Sequence, residues 1–406
     1  MSLSRLSVRE GRLMISWQEA KAILNSLTTT YGTEKVSVRD SWGRTLAEDI
    51  TVPRDYPDVH KSAVDGYAFK HGRKTYKLTG EVAAGDKSGA SVKDDETIFV
   101  MTGGTVPYGA DTVARVEDCE DTDGMITIPE SVGAGDSVNL SGEEAKKGEH
   151  VISKGVVIDK GLYPALFYLG KSEVEVYKKP RVAAFVTGDE ILEVEEKFAE
   201  GMVFDTNRRI LESCLNSLGI KPDFFGPIGD TEAEVANAFK EMCKDHDIII
   251  SSGGVSMGKY DFVKKVFKEH DFELFIEKTC IKPGSPLMVA KRDNKLFLGM
   301  PGYPAAFLTN FVFYAVPLFR KALGIIDFEN KVHKAILKTE MKARKGRMDL
   351  DRAVVTVENG RYTAADPGSQ LTSHFINFAQ VNALVLIDEN TDSLPAGTEA
   401  DTIIIP

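Results

Sequence analysis

Three stretches of the chain repeat one pattern: a short apolar run, a loop rich in glycine or proline, and a sequence that favours a helix. The apolar runs are 181–186, 247–250 and 296–300, and the loops after them are 187–190, 251–256 and 301–304. Apolar runs without alternation are typical of strands buried on both faces, and helices between them indicate a parallel sheet. Ligands of such sheets bind beyond the carboxyl ends of the strands. We therefore expect the three loops to form one pocket, whose backbone N–H groups suit an anion such as a phosphate.

Short β-type runs lie on both sides of this segment, so the predicted fold class is α/β plus β, with several domains. Before the segment the runs are 96–101, 112–116 and 125–128, and after it they are 353–356, 383–387 and 402–405. The predicted domains are a linker domain at 14–45 and 145–178, a β-rich inserted domain at 46–144, a central domain with a parallel α/β sheet at 179–328, and a C-terminal β-barrel-like or sandwich domain at 329–406.

Helix signals agree with this scheme. Ser16 and Glu19 form a capping-box pattern before apolar residues at helical spacing. Further helices are predicted near 207–218, 232–244 and 305–323, and Gly324 is expected just after the end of the last one.

Composition narrows the class of protein. With 406 residues and 42% hydrophobic content, the chain is expected to form roughly two to four domains. Its 50 basic and 61 acidic residues give a net charge of -11, which argues against nucleic acid or an anionic membrane as a partner. No apolar run is long enough for a membrane span, no secretory signal is apparent, and the four cysteines lack metal or disulfide spacing. We expect a cytoplasmic protein with free thiols.

The loop after the second apolar run is rich in glycine and serine. Because glycine lets a ligand approach the backbone closely, Ser252, Gly253, Gly254 and Ser256 are candidate substrate-binding residues. The loop has neither the Gly-Lys-Ser/Thr end of a P-loop nor the glycine spacing of a dinucleotide-binding fold. A tight turn that merely needs small residues is the alternative interpretation.

Carboxylates recur at predicted loop positions of the central domain. They are Asp189, Glu190, Asp205, Asp230 and Asp261. Hard oxygen ligands near a phosphate loop are what Mg²⁺ requires. Any single one of them is more simply explained as a helix cap or a solvated side chain.

Basic residues supply the opposite charge. Lys278 and Lys282 bracket Thr279 and Ile281, and in an extended segment the two lysines face away from the residues between them. Both could therefore point into one pocket and hold a second anion. The segment 331–352 contains eight basic and three acidic residues, which predicts a solvated face for most of these side chains.

Asp65 and Thr102 lie in turns that would by themselves be interpreted as structural. Together with the motifs above, they form an ordered set that resembles the molybdopterin molybdenumtransferase family, the MoeA-type proteins that include the E domain of gephyrin. The matching stretches are 62–68, 101–104 with 106–111, 187–190 with 205–208, 252–256, 281–284 and 301–304, and they extend from about Met14 to the C-terminus.

The resemblance implies an enzyme that inserts molybdate into adenylylated molybdopterin, releases AMP and requires Mg²⁺, with the molybdenum cofactor as its product. The implied catalytic residues are Asp65, Glu190, Asp261, Lys278 and Lys282. The residues implied to lie by the nucleotide and Mg²⁺ are Glu190, Asp230 and Asp261. Those implied to receive molybdate are Lys278, Lys282, Arg352 and Ser373, in a pocket shaped by Pro301 and Pro304. Lysine, arginine and hydroxyl donors suit a tetrahedral dianion.

The resemblance also implies partners. The protein would be an elongated homodimer in which Asp65 and Thr102 complete the site of the other subunit. Molybdopterin adenylyltransferase and molybdoenzymes would be further partners, and neither nucleic acid nor a membrane is implied.

The chain departs from the family pattern at several positions. Ser141 and Glu144 stand where the family usually has arginine and aspartate, Tyr303 replaces asparagine, and Ser285 replaces lysine. Two other interpretations stay open: an enzyme like molybdopterin adenylyltransferase, and a non-catalytic scaffold that keeps the fold. The additional β domains argue against the first, and the retained charged residues argue against the second.

Overall fold

The computed structural model describes residues 14–86, 89–188, 190–228, 231–253, 266–267 and 269–405. Residues 49–154 with 165–171 form one compact unit, and the rest of the described chain forms the other. The finer division into four domains stays a prediction. No helix in the described ranges is both long and apolar enough to cross a membrane.

The elements are numbered in chain order. The described helices are α1 (Trp17–Leu27), α2 (Leu162–Tyr168), α3 (Thr206–Ser217), α4 (Glu232–Asp245), α5 (Pro304–Asn310) and α6 (Val316–Ala322), with a π-helical turn at Phe311–Ala315 and 3₁₀ turns at Val38–Asp40, Val116–Asp118 and Ile376–Ala379. The strands up to residue 180 are β1 (Thr33–Ser37), β2 (Ile50–Thr51), β3 (Lys61–Ser62), β4 (Gly66–Phe69), β5 (Thr75–Val82), β6 (Glu96–Val100), β7 (Thr112–Arg115), β8 (Glu120–Thr122), β9 (Met125–Thr127), β10 (Val138–Asn139), β11 (His150–Ile152) and β12 (Glu173–Tyr177).

The remaining strands belong to the central sheet, a short pair beside it and the C-terminal domain. They are β13 (Val182–Thr187), β14 (Ile191–Leu192), β15 (Val203–Phe204), β16 (Asp223–Ile228), β17 (Ile248–Ser252), β18 (Glu273–Lys278), β19 (Ile281–Lys282), β20 (Pro286–Arg292), β21 (Lys295–Met300), β22 (Val332–Leu337), β23 (Met341–Lys342), β24 (Met348–Glu358), β25 (Arg361–Ala365), β26 (Ala383–Ile387), β27 (Ser393–Leu394) and β28 (Glu399–Ile404).

The smaller unit is built on a six-stranded sheet in the order β7-β4-β6-β5-β9-β8. Apolar side chains cover both faces, with Val100 and Val113 in the core on one side and Phe69 and Tyr76 on the other. Gly66 begins the central strand β4, and a Cβ there would lie 2.0 Å from the carbonyl oxygen of Ala114. A side chain at position 66 would collide with the neighbouring strand β7, so only glycine fits at the start of β4.

The central sheet has the order β16-β13-β17-β21-β20-β18. Its first four strands are parallel, and β20 and β18 add an antiparallel edge. Val186, Ser252 and Met300 stand side by side in register. The three apolar runs of the sequence are thus adjacent parallel strands whose carboxyl ends meet at one edge, as predicted.

The helices begin and end near the predicted positions. Ser16 caps α1, since its hydroxyl accepts a hydrogen bond from the N–H of Glu19 at 3.1 Å. The predicted helix at 305–323 is divided into α5, the π-helical turn and α6. Pro317, which has no N–H to donate, directly follows the start of α6. Gly324 ends the helix with a φ of 76°, as its sequence position predicts.

The C-terminal domain is a closed barrel. Strands β24, β25, β22, β28 and β26 pair in a ring, and β19 pairs with the first part of β24. The interior is filled by small and branched apolar side chains. The predicted solvated face of 331–352 is wrong for Asp349, Asp351 and Arg352, which are 3%, 9% and 1% exposed. They are buried because β24 has strands on both sides.

Candidate functional site

The carboxyl ends of the parallel strands are linked by one asparagine. Asn207, in the first turn of α3, is buried, and its Nδ2 donates to Ser252 Oγ at 2.6 Å and to the carbonyl oxygen of Gly302 at 2.8 Å. Its Oδ1 has no hydrogen-bond partner among the described residues. The loops after β17 and β21 are therefore held together by Asn207.

Gly253 shows why this junction needs a small residue. Its φ is 83°, its N–H donates to the carbonyl oxygen of Met300 at 3.1 Å, and a Cβ would lie 2.9 Å from Thr187 Oγ1. In the neighbouring loop, Pro301 is buried and Pro304 is the first residue of α5. The structure thus brings together the predicted residues from three loops at one sheet edge.

Part of the predicted Mg²⁺ site lies outside the described residues, namely Asp189, Asp230 and Asp261, as do Gly254 and Ser256 of the glycine loop. Glu190 is described and exposed, just after β13. Asp205 is a helix cap, since its carboxylate accepts from the N–H of Arg208 at 2.9 Å. Within the described ranges no group of three His, Cys, Asp or Glu side chains could hold a metal ion.

The loop between β18 and β20 presents the two predicted lysines. Thr279 and Ile281 are buried, whereas Lys278 is partly exposed and Lys282 is exposed. The alternation predicted from the sequence is therefore present. Ser285, where the family usually has lysine, donates its hydroxyl to the carbonyl oxygen of Thr279 at 2.8 Å, so this position closes the loop and supplies no positive charge.

Asn310 fixes this loop from behind. It is fully buried at the end of α5, and its Nδ2 donates to the carbonyl oxygen of Pro286 at 2.9 Å. Its Oδ1 lies 2.1 Å from where a Cβ of Gly284 would be, and the φ of Gly284 is 104°. Gly284 is therefore required for the loop to pass over the helix.

Arg352 holds the loop that contains Ser373. Its guanidinium donates to five acceptors, which are Ser369 O at 2.7 Å, Leu371 O at 2.9 Å, His374 O at 2.6 Å, Asn377 Oδ1 at 3.3 Å and Gln370 Oε1 at 3.4 Å. Ser373 itself is exposed. Arg352 thus orders residues 369–377 around a hydroxyl that is predicted to meet the oxyanion. A direct contact of its own with molybdate stays a prediction.

Asp65 and Thr102 form a tight pair in the smaller unit. Asp65 Oδ1 accepts from the N–H of Thr102 at 2.6 Å and from its hydroxyl at 2.8 Å. The N–H of Gly103 donates to the carbonyl oxygen of Ser62 at 2.8 Å, which joins the two turns. The two donors of Thr102 lower the pKa of Asp65 because they favour the ionised form.

A cavity of about 520 Å³ lies beside this pair. Its lining includes Arg54, Lys61, Thr102 and Glu144. Glu144 accepts a hydrogen bond from the hydroxyl of Tyr168 at 2.8 Å. The cavity therefore holds charges of both signs next to Thr102, and it contains one of the positions at which the chain departs from the family pattern.

Sequence reasoning gave no role to three residues that the structure places at these sites. Asn207 and Asn310 are buried amides in helices, and a polar residue at a helix position that packs on the core was the available signal. Asp351 was counted within a charged run, and nothing local to it indicates its burial.

Comparison with known protein families gives one consistent result along the chain. Residues 15–170 match the family described as MoeA N-terminal region (domain I and II), residues 183–321 match the probable molybdopterin binding domain, and residues 334–405 match the MoeA C-terminal region (domain IV). The three matches follow one another in a single order and leave only short gaps.

Similar proteins extend over almost the whole chain. The chain is 28% identical over 404 residues to the molybdopterin molybdenumtransferase of Staphylococcus epidermidis, covering 97% of this chain and 96% of the relative. For the Staphylococcus aureus enzyme the identity is 29% over 378 residues, covering 91% and 90%. A crystal structure of a molybdopterin biosynthesis MoeA protein from Pyrococcus horikoshii is 27% identical with a TM-score of 0.83, covering 97% of this chain and 99% of that one.

Proposed function

The chain belongs to the MoeA family of molybdopterin molybdenumtransferases, transferases of molybdenum cofactor biosynthesis, and we propose that its substrates are molybdate and adenylylated molybdopterin. In the proposed reaction, molybdenum enters the dithiolene of the pterin and AMP is released with the help of Mg²⁺.

One observation carries this proposal. The loop after β18 buries Thr279 and Ile281 and leaves Lys278 and Lys282 accessible. Two ammonium groups that flank one loop attract a small dianion such as molybdate. Gly284 and Asn310 hold the backbone of this loop in place, so the lysines can be positioned before the substrate arrives.

The exchange at molybdenum can be balanced without a redox step. One oxo ligand of molybdate leaves as water with the two thiol protons of the dithiolene, and two Mo–S bonds replace it. Hydrolysis of the phosphate link then gives AMP and the pterin phosphate. Lys278, Lys282 and the hydroxyl of Ser373 would bind and orient the oxyanion, while Arg352 would hold the loop of Ser373 through its five acceptors.

The proposed reaction includes a Mg²⁺ ion. Of its three implied ligands, Glu190 is described and exposed after β13, and a carboxylate at that place suits a hard cation. When bound, the ion would offset negative charge on the phosphate link.

We also propose a homodimer whose sites are shared between subunits. Asp65 and Thr102 would then meet the substrates held by the other subunit, as the resemblance implies. The proposed compartment is the cytoplasm, where four scattered cysteines stay reduced, and the proposed partners are the adenylyltransferase that supplies the pterin and the molybdoenzymes that receive the cofactor.

The test is AMP release from adenylylated molybdopterin and Mg²⁺, measured with and without molybdate. We expect AMP release by the wild type to depend on molybdate. Lys282→Gln should lower the rate about 100-fold or more, since removal of one group that stabilises charge typically costs this much. The control is Lys338→Gln, an exposed lysine paired with Glu358, and it should keep the wild-type rate. A folded protein that binds the nucleotide but releases no AMP would contradict the proposal and favour the scaffold interpretation.

A further inference from the structure

Asp351 lies at the mouth of the C-terminal barrel, near the loop of Lys282. Lys282 stands opposite Asp349 where β19 pairs with β24, and Asp349 and Asp351 share a face because they are two positions apart in a strand. The same face continues into the barrel core as Ala353 and Val355. The two aspartates therefore begin an otherwise apolar row of side chains, next to Lys282.

The two aspartates differ in their contacts. Asp349 accepts from the N–H of Arg344 at 2.8 Å and from Arg347 Nε at 3.1 Å. Asp351 is 9% exposed, and among the residues that the structure describes its carboxyl group has neither a hydrogen bond nor an ion pair. Burial of an ionised carboxylate without a partner is unfavourable, so the neutral form is favoured.

The charged groups around Asp351 shift its pKa in opposite directions. Burial is the main cause that raises the pKa of Asp351 to about 7, Asp349 and Asp366 raise it further, and Lys282 and Arg352 lower it. On the adjacent strand β26, the residues opposite the two aspartates are Val385 and Ile387, which carry no charge. Near neutral pH this carboxyl group is therefore close to the midpoint of its titration.

We propose that Asp351 is a positioning residue that sets, through its own protonation, how strongly Lys282 holds molybdate. The inference rests on the proposed function, in which Lys282 receives the oxyanion. When the carboxyl group is neutral, the charge of Lys282 is fully available to molybdate. When it is ionised, it attracts Lys282 and repels the dianion, and both effects weaken binding.

The sign of the pH dependence follows. Molybdate stays a dianion between pH 6 and 8.5, so its own charge does not change in this range. Affinity falls as Asp351 loses its proton, and the dissociation constant rises about tenfold across the range, a typical size for coupling between two sites. By linkage, molybdate binding takes up a fraction of a proton near pH 7.

The experiment is calorimetric titration of the full chain with molybdate alone, from pH 6 to 8.5, in two buffers of different ionisation enthalpy. We expect the wild type to show the rise in dissociation constant and the proton uptake. Asp351→Asn should bind molybdate at every pH with the affinity that the wild type shows at pH 6, and its binding should take up no proton. Asp401→Asn, an exposed barrel aspartate paired with Lys334, is the matched control and should behave as the wild type.

Asp366→Asn provides a second variant that leaves Asp351 in place. Removal of the negative charge of Asp366 should move the midpoint of the wild-type profile to lower pH. A wild-type affinity that does not change with pH would overturn this inference alone. A pH dependence that persists in Asp351→Asn would do the same, because it would belong to another group. Absence of molybdate binding at every pH would overturn the proposed oxyanion site and this inference with it.

Discussion

Asp65 and Asp351 are both carboxylates of the candidate sites, and their surroundings act on them in opposite directions. Asp65 is exposed in a turn before β4, and the N–H and hydroxyl of Thr102 lower its pKa. Asp351 is buried at the barrel mouth, and burial is the main cause that raises its pKa to about 7. Asp65 is therefore a constant negative charge at neutral pH, whereas the charge of Asp351 changes there.

The two carboxyl groups differ in how much of the fold is needed to form their surroundings. The environment of Asp65 is made by two short turns and by Gly66, whose strand lies beside β6 and β7. The environment of Asp351 requires the closed barrel, since β24 lies between β25, β26 and β19. Asp65 therefore needs one contact between two turns that lie 37 residues apart, whereas Asp351 needs the complete barrel around it.

The largest effect is expected at Arg352, on which the order of residues 369–377 depends. Arg352→Leu should lower the free energy of unfolding by about 3 to 5 kcal/mol, because five partly buried acceptors lose their donor. Chemical denaturation measures this directly. The control is Arg361→Leu, an exposed arginine of the same barrel, and equal stability of the two variants would show that Arg352 does not organise residues 369–377.

Asp65→Asn tests the constant charge. We expect molybdate-dependent AMP release to fall about 100-fold, since loss of a group that acts by its charge typically costs this much. The loss should be the same from pH 6 to 8.5, because the lowered pKa keeps Asp65 ionised throughout. Asp94→Asn removes a surface ion pair with Lys70 in the same unit and should leave the rate unchanged. A loss that disappears at one end of the pH range would mean that Asp65 titrates there.

Asp351→Asn tests the variable charge through stability. A carboxyl group whose pKa is about 7 in the folded state and about 3.9 when unfolded destabilises the fold increasingly from about pH 4 to about pH 7, by a constant amount above that range, and not below it. The variant should therefore be more stable than the wild type by about 4 kcal/mol at pH 8 and nearly equal to it in stability at pH 4. A variant that is less stable at pH 8 would show that the ionised group has a partner.

Some features of the fold follow from the sequence because they depend on neighbours along the chain. The apolar runs at 181–186, 247–250 and 296–300 form adjacent parallel strands, and Gly324 ends its helix. The antiparallel edge of the central sheet was not predicted. Strands β18 and β20 pair antiparallel, and β20 joins them to β21, which the apolar runs of the sequence do not indicate.

Residues of the candidate site also differ in how well the sequence predicted them. The alternation around Thr279 and Ile281 predicted correctly which side of the loop is accessible. Asp65 was recognised only through the family resemblance, since its turn alone looks structural. The role of Asp351 was not predicted, because a charged run such as 331–352 indicates a solvated face until strands from distant parts of the chain close around β24.

The most direct test of the comparison is a pH titration of the aspartate carboxyl carbons by ¹³C NMR, with Asp65→Asn and Asp351→Asn used to assign the two signals. The account predicts that Asp351 titrates near pH 7 and that Asp65 stays ionised down to pH values below those of an ordinary aspartate. An ordinary acidic midpoint for Asp351 would contradict the claim that burial at the barrel mouth makes its charge variable.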